Sequence, residues 1–188
     1  MVDDGRVRVL DAAVACFGRV GIAKTTVEDV AAQAGVARAS VYRWFPGGRD
    51  QLVVDAIGHE VGRFFEGLES EMAGATDLAT SLETLLMYVH RTLLDHAVLQ
   101  RVLETEPERL LPHLSEAGPA FLQVVAAVLL PIVAEASLTP GVTPAEATDW
   151  LARMVLSFTA SQGRWDFTDT ASIRSLVREE LLPGVLSE

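Results

Sequence analysis

Cysteine is nearly absent from this 188-residue sequence, which contains only Cys16. A single thiol excludes an internal disulfide and any cysteine-based metal cluster. Cys16 falls on the apolar face of a helical pattern, and we therefore expect it to be buried as a small core residue.

The sequence also lacks the motifs of common enzyme classes. It has no nucleophile elbow, phosphate loop or dinucleotide fingerprint, and its four histidines include no pair at the i, i+4 spacing of a helical zinc site. Glu104 and Glu106 lie just before the break at Pro107 and are more typical of a solvated turn than of a catalytic pair. We therefore predict no catalytic residue, no metal site and no cofactor, and a protein that is not an enzyme.

Long apolar runs are missing as well. The longest, from Val124 to Ala134, is interrupted by Pro131 and is shorter than the ~18 apolar residues of a membrane span. The opening "MVDDGRVRVL" begins with acids and has no small-residue cleavage site. These absences predict a cytoplasmic protein with no membrane association.

Negative charge dominates the chain but is unevenly spread. The formal net charge is −11, yet residues 1–50 hold seven basic and six acidic side chains, so that the remainder carries −12. Residues 1–50, which we call the head, could therefore bind nucleic acid, although a uniformly acidic protein would be repelled by the phosphates.

Helical periodicity runs through the chain and strand alternation is absent, which predicts an all-α fold. Three short helices form the head, and glycine, proline and threonine clusters separate the longer helices that follow. We predict two domains, 1–48 and 49–188, and longer helices at about 49–72, 78–95, 97–105, 107–115, 117–136, 144–163 and 171–182.

The last two helices of the head have the spacing of a helix-turn-helix motif. Thr25 with Glu28, and Thr26 with Asp29, are alternative capping boxes for the first of them. Gly35 supplies the left-handed residue that ends this helix.

The second of these helices separates apolar from polar residues. Val41 and Phe45 are predicted to face inward, while Arg38, Ser40 and Arg43 occupy the side that a recognition helix turns toward the major groove.

The stretch "FGRVGIAKTTVEDVAAQAGVARASVYRWF" closely resembles the N-terminal domain of the tetracycline-repressor (TetR) family of bacterial transcription regulators. The resemblance covers about a quarter of the chain. It implies a helix-turn-helix DNA-binding domain followed by a larger helical domain for ligand binding and dimerisation. The matching residues are Phe17, Gly21, Thr25, Thr26, Val30, Ala31, Ala34, Gly35, Val36, Val41, Tyr42 and Phe45.

The resemblance also implies which residues contact double-stranded operator DNA. Tyr42 matches a phosphate-binding tyrosine, Trp44 lies beside the backbone, and Lys24 and Arg49 flank the motif as phosphate clamps. The predicted DNA-binding residues are Lys24, Thr25, Thr26, Arg38, Ala39, Ser40, Tyr42, Arg43, Trp44 and Arg49.

Two features depart from the family pattern. Ala37 stands where a serine commonly caps the recognition helix, which removes a cap contributing ~1 kcal/mol. "FPGGRDQL" is one residue longer than usual, so the turn into the fourth helix is reshaped. For Arg6 and Arg8, a minor-groove arm and a plain surface role both stay open.

The resemblance implies a homodimer formed through the last two long helices, near 144–163 and 171–182. Both carry overlapping apolar faces that must be buried, and an intrachain core is the alternative to a subunit interface.

The middle helices are where the resemblance implies a small effector, and their apolar side chains predict a hydrophobic one. For each candidate, ordinary core packing is the alternative. The predicted ligand-binding residues are Phe64, Phe65, Leu86, Met87, His90, Leu94, Phe121, Val125, Met154, Phe158, Gln162 and Trp165.

Together these patterns predict a ligand-responsive transcriptional regulator, a repressor released from its operator by a small hydrophobic molecule. The alternative is a helical carrier or enzyme for hydrophobic ligands with no role in DNA binding.

Overall fold

The protein is all-α, as predicted. The computed structural model describes residues 4–187. The predicted domain ranges begin at residue 1 and end at residue 188, so their first three residues and their last residue lie outside the described part. Nine α-helices and one π-helical turn are found there, and no strand beyond isolated bridges. They are α1 (Asp4–Val20), α2 (Val27–Ala34), α3 (Arg38–Trp44), α4 (Gly48–Met72), α5 (Leu78–Asp95), α6 (Ala97–Thr105), α7 (Pro107–Ala134), α8 (Pro144–Ala160), α9 (Thr170–Leu176) and the π-helical turn Val177–Leu181.

The chain divides into two compact units. The first holds the residues up to Phe64 together with Leu93–Glu116, and the second holds Phe65–Thr92 and Ala117–Glu188. The predicted division into domains 1–48 and 49–188 concerns function and stays a prediction.

The core of the first unit fixes the three short helices. Val9, Cys16, Val41 and Phe45 are fully buried there, and Val102 of α6 joins the same cluster. Cys16 is thus the core residue that the sequence predicted, and burial raises the pKa of its thiol. Removing these side chains from water holds α1, α2 and α3 at fixed angles.

The second unit has its own core of aliphatic side chains from several helices. Fully buried leucines line the inner faces of α5 and α7, at Leu82, Leu85 and Leu129. α8 contributes Leu151, and α9 contributes Leu176.

Three predicted helix boundaries differ from the structure. The predicted helices 107–115 and 117–136 are joined in α7, which ends at Ala134, and the break predicted near Gly118 and Pro119 is present as a bend between 107–116 and 118–134. Buried Val125, Leu129 and Val133 continue the apolar face beyond that bend. α8 ends at Ala160 rather than 163, because a glycine turn follows it.

The C-terminal segment also differs from its predicted range of 171–182. Asp169 caps α9, so the helix starts at Thr170, and it ends at Leu176 where the π-helical turn begins. In that turn the Leu182 N–H donates to the carbonyl of Val177 at 2.9 Å.

Among residues 4–187, no single helix combines the length and the apolar composition that a membrane crossing requires. The two parts of α7, 107–116 and 118–134, meet that test only when they are taken together across a bend.

Candidate nucleic-acid interface

The helix-turn-helix begins with a capping box at Thr26. The Asp29 N–H donates to Thr26 Oγ1 at 3.1 Å, and the Thr26 N–H donates to Asp29 Oδ2 at 3.0 Å. Of the two alternatives in the sequence, the pair Thr26 and Asp29 is therefore the one formed. The Thr26 hydroxyl and the Thr26 N–H both donate to the Asp29 carboxylate, which lowers the pKa of Asp29 and keeps it charged at the positive end of α2.

Thr25 has a different role from Thr26. Its side chain is 2% exposed, and its hydroxyl donates to the carbonyl of Gly21 at 2.7 Å. Of the two threonines predicted to meet the DNA backbone, only Thr26 is exposed, and its hydroxyl already donates to Asp29 at 2.7 Å. The predicted contact of Thr25 stays untested, but its hydroxyl is committed to the fold.

The turn between α2 and α3 depends on Gly35. Its φ of 66° is left-handed, as predicted, and its N–H and that of Val36 donate to the carbonyls of Ala32 and Ala31 at 3.2 and 3.0 Å. Val36 is half-buried against the core. The turn closes α2 and starts α3 within three residues.

α3 has a buried face and an exposed face, as its sequence predicted. Val41 lies on the buried face, and Phe45, which caps the end of α3, is buried with it at 0% exposure. Ala39, Tyr42 and Arg43 are exposed. Ala37 makes no side-chain cap, which matches the departure noted in the sequence.

Arg38 is held by groups of its own chain. Its Nη1 lies 2.5 Å from Oε1 of Glu28 on α2, and its Nη2 donates to the Tyr42 hydroxyl at 3.3 Å. The hydrogen bond to Tyr42 and the charge of Glu28 raise the pKa of Arg38 further. The guanidinium is thus a permanent cation, and its carboxylate partner occupies a place that a phosphate oxygen can take.

Arg43 and Lys24 are the more accessible cations. Within residues 4–187 neither forms an ion pair, and the Arg43 guanidinium lies 5.2 Å from the centre of the half-buried Trp44 ring. Such stacking restrains the side chain while leaving its donors available. Ser40, the remaining polar residue of α3, is half-buried.

Arg49 connects elements within the head. Its Nε donates to the carbonyl of Thr25 at 2.9 Å and its Nη2 to that of Ile22 at 2.5 Å. The phosphate contact predicted for Arg49 is left to Nη1, which faces Asp50 at 3.9 Å. This residue positions the loop before α2, whatever else it contacts.

The two N-terminal arginines differ in their partners. Arg6 pairs with Asp55 at 2.8 Å and lies 5.2 Å from the centre of the Phe45 ring. Arg8 is exposed, with Asp4 at 3.9 Å.

Glu106 was missed by the sequence reasoning, which placed it in a solvated turn. Its side chain is 15% exposed, and Oε2 accepts the N–H of Ala23 at 2.7 Å. Gly21, with a φ of 88°, leaves room for this carboxylate, which a Cβ there would overlap. Ala23 and Glu106 are 83 residues apart in the sequence, so no local sequence pattern could predict this contact.

Only some of the predicted ligand residues come together in the second unit. Phe65 and Phe121 have ring centres 5.1 Å apart, and the Gln162 amide lies 2.8 Å from His90 Nδ1. Leu86 and Val125 are fully buried. Met154, Phe158 and Trp165 are half-buried, Met87 is exposed, and Phe64 and the exposed Leu94 belong to the first unit.

An open groove of about 390 Å³ lies in the second unit. None of the twelve predicted ligand residues lines it. It is bordered by α4 and α7, through Glu69, Met72, Ala73, Val124, Ala127, Val128, Pro131 and Ile132.

Residues 9–56 match the model of the N-terminal domain described as bacterial regulatory proteins, tetR family. The match begins within α1, contains α2, the turn and α3, and ends in the first turns of α4. The chain carries the DNA-binding domain of the TetR family. α3 is therefore the second helix of a helix-turn-helix that matches this family, and its exposed face carries Arg38, Tyr42 and Arg43.

Sequence similarity to a helix-turn-helix regulator is limited to part of each chain. The sequence is 28% identical over 83 residues to the HTH-type transcriptional regulator LmrA of Bacillus subtilis, and this match spans 44% of each chain. The match therefore spans less than half the length of that relative.

Solved structures share the fold along nearly the whole chain. A regulator, SCO7518, from Streptomyces coelicolor aligns with a TM-score of 0.66 and 21% identity, covering 94% of this chain and 98% of its own. FadR of Bacillus subtilis in complex with stearoyl-CoA aligns with a TM-score of 0.60 and 19% identity, covering 95% and 98%. The TetR-like fold therefore extends beyond the DNA-binding domain.

Proposed function

We propose that this TetR-family regulator is a homodimeric repressor that binds operator DNA through α3 and leaves it when a small hydrophobic effector binds. The observation that carries the proposal is the exposed face of α3. There, Arg43 has no ion-pair partner within residues 4–187, and Arg38 is positioned by its contacts with Glu28 and Tyr42. Residues 1–48 would read DNA, and 49–188 would bind the effector and the second subunit. A DNA-binding role assigns the protein to the cytoplasm.

Each exposed residue of α3 has a chemical task in this proposal. Arg43 offers a planar fork of donors, which pairs with guanine edges or phosphates. Tyr42 donates its hydroxyl to a phosphate, and Arg38 exchanges Glu28 for the DNA. Lys24 and Thr26 would flank the helix on the phosphate backbone.

Dimerisation is proposed because one head offers few contacts for specific affinity, whereas two heads bind successive half-sites. Trp150 on α8 supports this step, since a large aromatic side chain is 37% exposed on the helix proposed to meet its copy. The segments 144–163 and 171–182 would form the interface.

A hydrophobic effector is proposed from the apolar character of the second unit. The stearoyl-CoA complex of the structural neighbour FadR makes an acyl chain the first class to test. His90 supplies a polar anchor, because its buried Nε2 has no hydrogen-bond partner while Nδ1 faces Gln162. An effector oxygen would satisfy it.

The proposed switch is a difference in preference between effector and DNA. An effector that favours a head spacing unsuited to the operator weakens DNA binding by its differential affinity, typically ~1–3 kcal/mol. α4 contributes residues to both units, and in this proposal it transmits the effect of effector binding to the head.

DNA binding is tested by fluorescence anisotropy with DNA flanking the protein's own coding region, at several salt concentrations and with competitor DNA. Arg43→Ala and Tyr42→Phe should weaken the competitor-resistant binding, by about tenfold for the arginine. Arg91→Ala is the matched control and should bind normally, because it removes an exposed arginine of α5 that pairs with Glu71 of α4. If Arg43→Ala and Tyr42→Phe both bind as the wild type does, the recognition helix is wrongly assigned.

The effector is tested in the same assay with long-chain acyl-CoA. We expect saturating ligand to weaken operator binding about tenfold or more in the wild type, and less in His90→Leu. Unchanged operator affinity with ligand demonstrably bound would refute the switch. Ligand binding without any specific DNA binding would instead identify a carrier.

A further inference from the structure

A cluster of metal-ligating side chains lies in the first unit, on helices other than α3. Asp11 comes from α1, and His59 and Glu60 come from consecutive positions of α4. One ligand atom from each lies within 4.8 Å of the others, and Asp11 Oδ1 is 3.0 Å from His59 Nε2. The cluster contains a single histidine, so the lack of histidine pairs at helical spacing does not exclude it.

Glu60 has one oxygen engaged and one available. Oε2 lies 2.9 Å from His96 Nε2, while the buried Oε1 has no hydrogen-bond partner. His96 Nδ1 accepts the N–H of Leu99 at 3.1 Å, so in the neutral ring the proton is on Nε2 and is donated to Glu60.

His96 thus orients Glu60 in the way that outer partners orient metal-ligating carboxylates. The other oxygen of Glu60, Oε1, accepts no hydrogen bond and shares the neighbouring Arg63 Nη1 with Asp11 Oδ1. A buried carboxylate oxygen without a hydrogen bond is costly, and a bound cation would offset that cost.

Arg63 is the cation that now faces the cluster. Its Nη1 lies 3.5 Å from Asp11 Oδ1 and 3.6 Å from Glu60 Oε1. Both distances exceed a hydrogen bond of good geometry, and the Arg63 side chain is 61% exposed. A divalent ion with short bonds to the same oxygens would displace it toward solvent.

We propose that Asp11, His59 and Glu60 form a binding site for a first-row divalent transition-metal ion, with zinc as the probe. Two carboxylates and one imidazole match the oxygen and nitrogen ligands of such ions, and the remaining position is open to water. The histidine argues against calcium and magnesium, which take oxygen ligands. Occupancy would join α1 to α4.

The test is a zinc titration of chelator-treated, tag-free full-length protein by isothermal calorimetry. We expect one zinc ion per chain. His59→Gln and Glu60→Gln should each weaken binding tenfold or more, and Arg63→Gln should tighten it several-fold by removing the competing cation. His113→Gln, which removes a histidine outside the cluster, should bind like the wild type.

A thermal melt adds a second readout, since an ion that binds only the folded chain raises Tm as its concentration increases. This rise should be lost in Glu60→Gln and kept in His113→Gln. If Glu60→Gln does not fold, Asp11→Asn takes its place. The proposal is overturned if neither the wild type nor Arg63→Gln saturates at one ion per chain, or if His113→Gln weakens binding as much as His59→Gln.

Discussion

At the scale of single residues, Ala37 leaves α3 without a side-chain cap. Its φ of −68° and ψ of 139° are those of a capping position, so a serine there would reach the first-turn amides without strain. We predict that Ala37→Ser raises the free energy of unfolding by ~1 kcal/mol, measured by urea denaturation.

The control for this prediction is Ala39→Ser, which introduces the same side chain at an exposed position inside α3. Serine is a poorer helix former than alanine, so this variant should be slightly less stable than the wild type. Equal stabilisation by both substitutions would show that capping is not the cause.

Glu28 sets the state of Arg38 before DNA arrives. The two charges lie 2.5 Å apart, and both side chains are more than half exposed. Glu28→Gln would release Arg38 and remove a negative charge near the proposed DNA surface. We predict two- to fivefold tighter DNA binding, the equivalent of about 0.5–1 kcal/mol for an exposed pair.

The comparison for Glu28→Gln is Glu66→Gln, an exposed residue of the second unit. It changes the net charge equally but touches neither Arg38 nor α3. Anisotropy at matched salt should show little change for Glu66→Gln, and equal tightening in both variants would mean that net charge alone is responsible.

At the scale of elements, short-range signals predicted the head well. The capping box at Thr26 and the left-handed Gly35 act within four residues, so the sequence displays them directly. Long-range contacts decided the rest. Arg49 reaches the carbonyls of Ile22 and Thr25 because of how α4 packs in the first unit, and Glu106 reaches Ala23 across 83 residues.

α7 shows a local signal and tertiary packing acting together. Gly118 and Pro119 favour a break locally, and the helix bends between 107–116 and 118–134, while buried side chains such as Val125 and Leu129 stabilise its continuation. The sequence marked the position of the bend but did not show that packing keeps both parts in one helix. The same limit applies to the predicted ligand residues, since periodicity marks an apolar face without saying whether it meets a ligand or a neighbouring helix.

The capping box of α2 also predicts a pH dependence. Hydrogen bonds from the Thr26 hydroxyl and N–H lower the pKa of Asp29 in the folded state. A lowered folded pKa contributes stability above the unfolded pKa, and that contribution is lost as the pH falls through the folded pKa. Asp29→Asn should therefore be less stable than the wild type at neutral pH, and the difference should close in acid.

Urea denaturation of Asp29→Asn and the wild type across this pH range measures the effect. Asp95→Asn, which removes an exposed carboxylate that makes no hydrogen bond within the described residues, is the control. Its difference from the wild type should change less with pH. A gap for Asp29→Asn that widens in acid would contradict the assigned role.

At the scale of the whole molecule, charge and assembly act together. The head of residues 1–50 carries about one positive charge, while the remainder carries a large negative excess. In the proposed function, affinity for DNA would come from a few arginines placed twice on one duplex, because an acidic body is repelled by the phosphates. Specific binding by this protein should accordingly depend on the proposed dimer.

Trp150 provides the test of that dependence. A glutamate in place of this exposed aromatic side chain would introduce two like charges close together at a twofold interface through α8. We predict that Trp150→Glu is monomeric by analytical ultracentrifugation and loses tenfold or more in operator affinity, although residues 9–56 are unchanged. Leu111→Glu, at an exposed leucine of α7, should stay dimeric and bind normally. If Trp150→Glu sediments as a dimer, the interface lies elsewhere. If it is monomeric but binds the operator as tightly as the wild type does, one head is sufficient for specific binding, and the acidic body does not make binding depend on a dimer.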